Sequence, residues 1–383
     1  MARWLAISMA LGLAMAARAG ATPEATDDET PDAKTAAAPE APPAAPEVRP
    51  WSLDLTIHDF GLGLGNSKHV DGLRLNFRDS APYTVHGVGL TIWGPEHGTQ
   101  GGNVTGLALG LPVASASHLT GVGLGVGVEI EKSLDGVGVG LLGVGSGGGL
   151  HGIFVGGLGM GSGGDIDGLA IGGLGAGSGG NLNGIVIGGL GAGAGGNVTG
   201  LAVGGLGVGA GGNLRGIVIG GLGAGAGGHV TGLAIGGLGI GAGGSIRGLA
   251  IGGLGVGTGG KIRGLAIGGL GVGAGDSIKG VAIGGLGVGS PSIEGAVFGL
   301  GVGGEDVRGL VVAPAYFHVP EDGRLTGVSI SAFNRILGEQ HGLVIGIINY
   351  ASSLHGVQLG LLNWAGNNRS GLKLLPIANA HFD

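Results

Sequence analysis

A glycine followed by an apolar triplet recurs every 16 residues from Gly136 to Gly280, through Gly152, Gly168, Gly184, Gly200, Gly216, Gly232, Gly248 and Gly264. A fixed period of this size marks a repeat architecture, in which each unit buries its apolar surface only against its neighbours. The unit, taken from 245–260, reads S-I-R-G-L-A-I-G-G-L-G-V-G-T-G-G. Looser copies anchor at Gly72, Gly87, Gly106 and Gly121, and at Gly295, Gly309, Gly327, Gly342, Gly356 and Gly371, with spacings of 14 to 19. The array therefore runs through the whole of 51–383. Glycine fills 101 of the 383 positions, and it costs about 1 kcal/mol relative to Ala inside a helix, so a helical body is excluded. Hydrophobic residues at 43% against 11% charged exclude general disorder, and the lack of a strict G-X-Y period excludes collagen. What remains is an all-β fold, a parallel β-solenoid of about twenty Gly-rich coils.

Within one unit, Leu249 and Ile251 share a parity, Gly252-Gly253 follows, and Leu254, Val256 and Thr258 share the other. Side chains alternate faces along a strand, so a Gly-Gly bend that switches parity turns both sets toward one interior. This places Leu254 in a buried ladder with Leu174, Leu190, Leu206, Leu222, Leu238, Leu270 and Leu286, and leaves Ala250, Gly255 and Gly257 outside on flat, charge-free faces. The charges between 137 and 290 all fall just before an anchor glycine: Asp165, Asp167, Arg215, Arg247, Lys261, Arg263, Asp276 and Lys279. A polar row confined to one point of the period is a solvated edge. The competing architecture is an outer-membrane barrel, whose strands need about 9–11 residues and whose lumen is polar. Sixteen residues cannot supply two such strands, although Phe382 near the end suits barrel insertion.

The N-terminus has the layout of a secretory signal peptide: Arg3, an apolar run from Trp4 to Ala17, and Ala17-Arg18-Ala19 as a small-residue cleavage site. Residues 20–50 carry seven prolines among Ala, Glu and Asp and read as a Pro/Ala/acidic disordered linker. Irregular coils with an N-terminal cap are expected over 51–135, the regular solenoid over 136–290, and irregular coils with a C-terminal cap over 291–383. Nearly all aromatics beyond the signal peptide lie in these two end regions, as capping units require.

No chemistry-bearing constellation emerges. A formal net charge of -7 gives no footprint for nucleic acid, and the absence of cysteine removes disulfides and thiolate chemistry. Gly191-Ala-Gly193-Ala-Gly195-Gly196 matches G-x-G-x-x-G, but a nucleotide fingerprint needs one copy between a strand and a helix, and here the pattern recurs each period. The histidines His58, His69, His86 and His97 are too loosely spaced for a zinc set. Asp165 and Asp167 flank Ile166 at one turn and read as a solvated corner rather than a calcium site. No catalytic, cofactor-binding or metal residue is expected, and the chain reads as a non-enzyme.

The C-terminal quarter is richer in side chains: Gly342-Leu-Val-Ile-Gly346-Ile-Ile-Asn349-Tyr-Ala351, then Gly356-Val-Gln-Leu-Gly360-Leu-Leu-Asn363-Trp-Ala365, and a last unit Gly371-Leu-Lys-Leu-Leu-Pro376-Ile-Ala-Asn379. It resembles the bacterial surface-repeat proteins first noted in leptospiras, whose units read G-x-Q-x-G-L-x-N-x-A, over about 342–379. In the central units the family's Asn is replaced by Gly, as at Gly255. The resemblance implies export and surface exposure in a Gram-negative-type bacterium, at the cell surface, outer membrane or periplasm, and no catalytic residues. The expected function is that of an exported structural or interaction protein. Its expected partner is either itself, through flat Gly/Ala faces, or a surface polymer, and no nucleic acid or nucleotide. Two alternatives stand beside it: an outer-membrane barrel or pore, and an ice- or polysaccharide-binding module.

Overall fold

The computed structural model describes residues 51–80, 82–93 and 101–382. The expected signal peptide, the linker over 20–50 and His97 lie outside them. Each coil of the regular part has a long strand and a short strand, such as Ile246–Gly252 and Gly255–Thr258, joined by bends at 253–254 and 259–260. The long strand pairs in parallel with its equivalents one coil before and after, with Gly232, Gly248 and Gly264 in register. The short strand stacks the same way between Gly239–Ala242 and Gly271–Ala274. The fold is thus an all-β parallel solenoid with a period near 16 residues. Parallel coil-on-coil pairing is incompatible with an up-and-down barrel wall, in which strand direction alternates.

The anchor glycine is required where it stands. Gly248 has φ of 116°, and a Cβ built there would overlap the carbonyl oxygen of Gly232 in the coil below. The bend glycine Gly253 is confined likewise by the carbonyl of Gly237. Glycine at these two points lets successive coils stack with their backbones in close approach.

The interior differs from the expectation. Ile246, Ala250 and Val256 are the buried residues of the unit, whereas Leu249 and Ile251 lie half-buried on the outer surface and Leu254 is 50% exposed at the corner. All eight leucines of the expected buried ladder, Leu174 to Leu286, are between 49% and 60% exposed. Two physical reasons fix this parity. Arg247 shares it with Leu249 and Ile251 in one unbroken strand, so turning the two apolar residues inward would bury an arginine without a partner. The bend that ends the strand is also tight on its inner side: a Cβ on the inward Gly252 would overlap the carbonyl oxygen of Gly255. The bulk of the interior comes instead from the row two residues before each anchor, where Leu182, Leu214, Ile246 and Ile262 are buried. The expectation that Gly255 and Gly257 face outward holds, and Arg247 is exposed.

Both ends are closed by antiparallel strands. Ser52–Ile57 folds back on Phe60–Gly65 through a two-residue turn, His58 and Asp59, both with positive φ. At the other end Leu374–His381 lies antiparallel on the last coil, from His381 beside Gly356 to Leu374 beside Trp364. The segment from Gly371, expected as a further coil, is therefore a reversed cap.

Candidate interaction surface

The long strands present one continuous outer face. Counted from each anchor glycine, the residue before it is polar, and the first and third residues after it are apolar and point out. In the coil of Gly248 these are Arg247, Leu249 and Ile251, and the corner adds Leu254. The same apolar pair stands at Leu73 and Leu75 near one end and at Val357 and Leu359 near the other, so two aliphatic rows run along the described solenoid beside a polar row. Soluble proteins seldom leave contiguous apolar surface of this extent uncovered.

The polar row is organised by charge. His86 Nδ1 lies 2.8 Å from Asp71 Oδ1, His151 Nδ1 lies 2.9 Å from Asp135 Oδ1, and the amide of Asn183 donates to Asp167 Oδ1 at 2.7 Å. Further along, Lys279 Nζ donates to both Glu294 oxygens, and that hydrogen bond holds the glutamate below its usual carboxylate range. Between them Arg215, Arg247 and Arg263 are exposed and form no ion pair among the described residues.

A second ladder occupies the corner two residues away. The backbone N–H and side-chain amide of Asn197 both donate to Asn181 Oδ1, at 2.9 and 3.1 Å, and Asn213 does the same to Asn197. Asp165 starts this run by accepting from Asn181, and His229 Nδ1 carries it on by accepting from the N–H of Ser245. Asp165 and Asp167 therefore serve two different ladders. Among the described residues no group of three or more His, Asp or Glu is placed to hold a metal. His58 sits in the N-terminal turn and His69 on the polar corner, and Gly191–Ala194 of the G-x-G-x-x-G match is an ordinary short strand. The outward faces of the short strands are bare: a Cβ on Gly241, Gly257 or Gly273 would meet nothing within 4 Å.

The end regions hold polar clusters that composition and period do not disclose. Near the N-terminal end Arg74, 1% exposed, pairs with Asp79 at 2.7 Å, and Asn76 and Thr91 also donate to that carboxylate. The Arg74 guanidinium lies 3.8 Å from the Tyr83 ring centre, and burial pushes the Tyr83 phenol up. In the last coils Asn334, Asn349 and Asn363 are fully buried and linked amide to amide at 2.8 and 2.7 Å. The Asn seven residues after each of Gly327, Gly342 and Gly356 is the signal that could have located this ladder.

Comparison of the chain with family models, with characterised proteins and with solved structures finds no match.

Proposed function

We propose that the chain is an exported structural or interaction protein, acting as a rod at the bacterial cell surface. One observation carries this reading: the outer face of the long strands repeats two aliphatic rows and one polar row coil after coil along the described solenoid. A surface of that kind is suited to contacts distributed along a length rather than to the capture of one small molecule. The interaction face is the aliphatic one on the long strands, not the Gly/Ala face expected from the sequence. The buried amides of Asn334, Asn349 and Asn363 support the likeness to leptospiral-type surface-repeat units, because they give the motif's Asn a structural task between coils. An ice-type ligand would call for a continuous outward Thr row, but Thr199 and Thr231 are separated by Arg215 in the polar row.

The test is fractionation of cells producing the full chain or a form lacking 1–19. The full chain is expected in the envelope fraction, open to protease added to intact cells, and the shortened form in the cytoplasm. Recovery of both forms in the cytoplasm would overturn the reading.

A further inference from the structure

We propose that two copies of this chain pack antiparallel, outer long-strand face against outer long-strand face, about a two-fold axis crossing that face between the coils of Gly184 and Gly200. This rests on the reading of the protein as an interaction rod and names its partner as a second copy.

The argument begins with the polar row. The in-register pairings and the stacking of the anchor glycines place Asp71, Asp135 and Asp167 toward one end of it, and Arg215, Arg247, Arg263 and Lys279 in succession beyond the middle. Glu294 and Arg308 follow in the next two coils. A two-fold axis lying in the interface and perpendicular to the rods sets each row on its own reverse. With the axis between Asn183 and Thr199, Asp167 faces Arg215, Asp135 faces Arg247, Asp71 faces Arg308, and His86 faces Glu294. Arg263 and Lys279 face Thr120 and Thr105, His151 faces Thr231, and no two like charges meet. The interface is isologous, so every pair occurs twice. Arg215 and Arg247, which have no ion pair among the described residues, gain one.

The neighbouring registers lack this property. A slip of one coil in one sense leaves no acid opposite a base and sets Asp71 against Glu294. A slip in the other sense keeps one such pair, Asp135 with Arg263. A parallel arrangement of the two rods with the polar rows in contact would set each arginine on itself.

The aliphatic rows reinforce the same register, because reversal returns them to aliphatic rows: Ile185 and Ile187 come opposite Leu201 and Val203. With coils about 4.8 Å apart, residues about 3.3 Å apart and faces about 10 Å apart, sixteen coils with a face four residues wide cover on the order of 1,000 Å² per copy. A stable interface needs about 800 Å² per partner. An anionic lipid surface is the rival occupant of an aliphatic face bordered by arginines. It carries one sign of charge and would press headgroups against Asp71, Asp135 and Asp167, whereas a reversed second copy answers both signs.

The experiment uses the full chain, which has no cysteine of its own. Sedimentation equilibrium is expected to give twice the chain mass, with a dissociation constant that rises with salt. Arg247→Asp is expected to weaken association about tenfold, since each exposed contact is modest but is changed twice. Asp135→Arg in the same chain restores it. A single cysteine at Thr199→Cys, one coil from its mate across the axis, is expected to be bridged by a short bismaleimide. One at Thr326→Cys, near the far end, is not. A monomer at every concentration, bridging at both cysteines, a charge swap that fails to rescue, or a monomer that floats with vesicles of phosphatidylcholine and phosphatidylglycerol overturns the proposal. A monomeric rod that still reaches the cell surface would end the dimer and leave the function standing. A dimer retained in the cytoplasm would do the reverse.

Discussion

Ala250 is 0% exposed and stands in a row that holds Ala in four successive coils, Ala234, Ala250, Ala266 and Ala282. Ala250→Leu is expected to lower stability by about 1–3 kcal/mol through overpacking. Leu222, half exposed at its corner, should accept Asp in dilute solution at a cost near that of ordinary surface changes, about 0.5 kcal/mol. Gly248→Ala should also be costly, on the order of 1–3 kcal/mol, because it combines a strained φ with overlap on the Gly232 carbonyl. Urea midpoints of the three variants check the set, and a Leu222→Asp loss equal to that of Ala250→Leu would contradict the observed parity. The exposed charges were legible in the sequence, since an Arg or Asp at a fixed point of every period has no buried partner to meet. The interior was not, because side-chain bulk does not mark the buried parity: Leu254 is half exposed and Ala250 is buried. Here the continuity of the strand from Arg247 to Ile251 and the tight bend at Gly252 decide which side faces in.

The coil is the element, and its 16-residue length was readable because the anchor needs glycine, with a positive φ from Gly72 to Gly356, and so marks every period. Removing one whole unit, 213–228, should leave a shorter folded solenoid, since repeat stability is roughly a sum over units and interfaces. Removing 213–220 alone should unfold its neighbourhood, because it takes out the long strand Leu214–Gly220 and joins the bend at 211–212 directly to the bend at 221–222. Thermal unfolding followed by circular dichroism separates the two, and equal outcomes would make the unit wrong. The C-terminal coils use a different interior. Asn349 accepts from Asn334 and donates to Asn363 and to the Leu359 carbonyl, so Asn349→Leu strands buried amides and is expected to cost about 1–3 kcal/mol. The motif displayed the recurrent Asn but not its burial, which depends on where the strand crosses the interior. Along the solvated edge, hydrogen bonds from His341 and then Arg324 hold Glu339 below its usual range, as Lys279 holds Glu294. A carboxylate whose folded value is depressed adds stability that is present above its unfolded value, near pH 4.3, and is lost as pH falls through the folded one. Glu339→Gln should therefore lower the melting temperature slightly at neutral pH and flatten its decline below about pH 4.3, so that variant and parent converge in acid.

Over the whole solenoid the repeated rows give length, and the two antiparallel ends limit it. A parallel solenoid stacks coil on coil without a natural end, and its terminal coils present unpaired N–H and C=O groups on which another chain can continue the sheet. Here the first exposed edge is taken by Ser52–Ile57 and the last by Leu374–His381, each running against the direction of the coils. The C-terminal cap is further unsuited to extension: Pro376 has no N–H to donate and falls where the pairing shifts between Gly360 and Asn363, and Ile377 beside it has a positive φ of 68°. Deleting 372–383 would uncover the edge of the coil that begins at Gly356 while leaving the Asn334, Asn349 and Asn363 ladder in place but open at Asn363, which loses the Leu375 carbonyl it donates to. Association would then proceed end to end rather than face to face. The truncated chain is expected to form particles that lengthen with concentration in electron micrographs and raise light scattering, in high salt as well as low, because backbone pairing rather than charge drives the contact. The intact chain should keep one length under the same conditions. A truncated chain that stays at the length of the intact one across that range would show that the reversed strand is not what ends the stack.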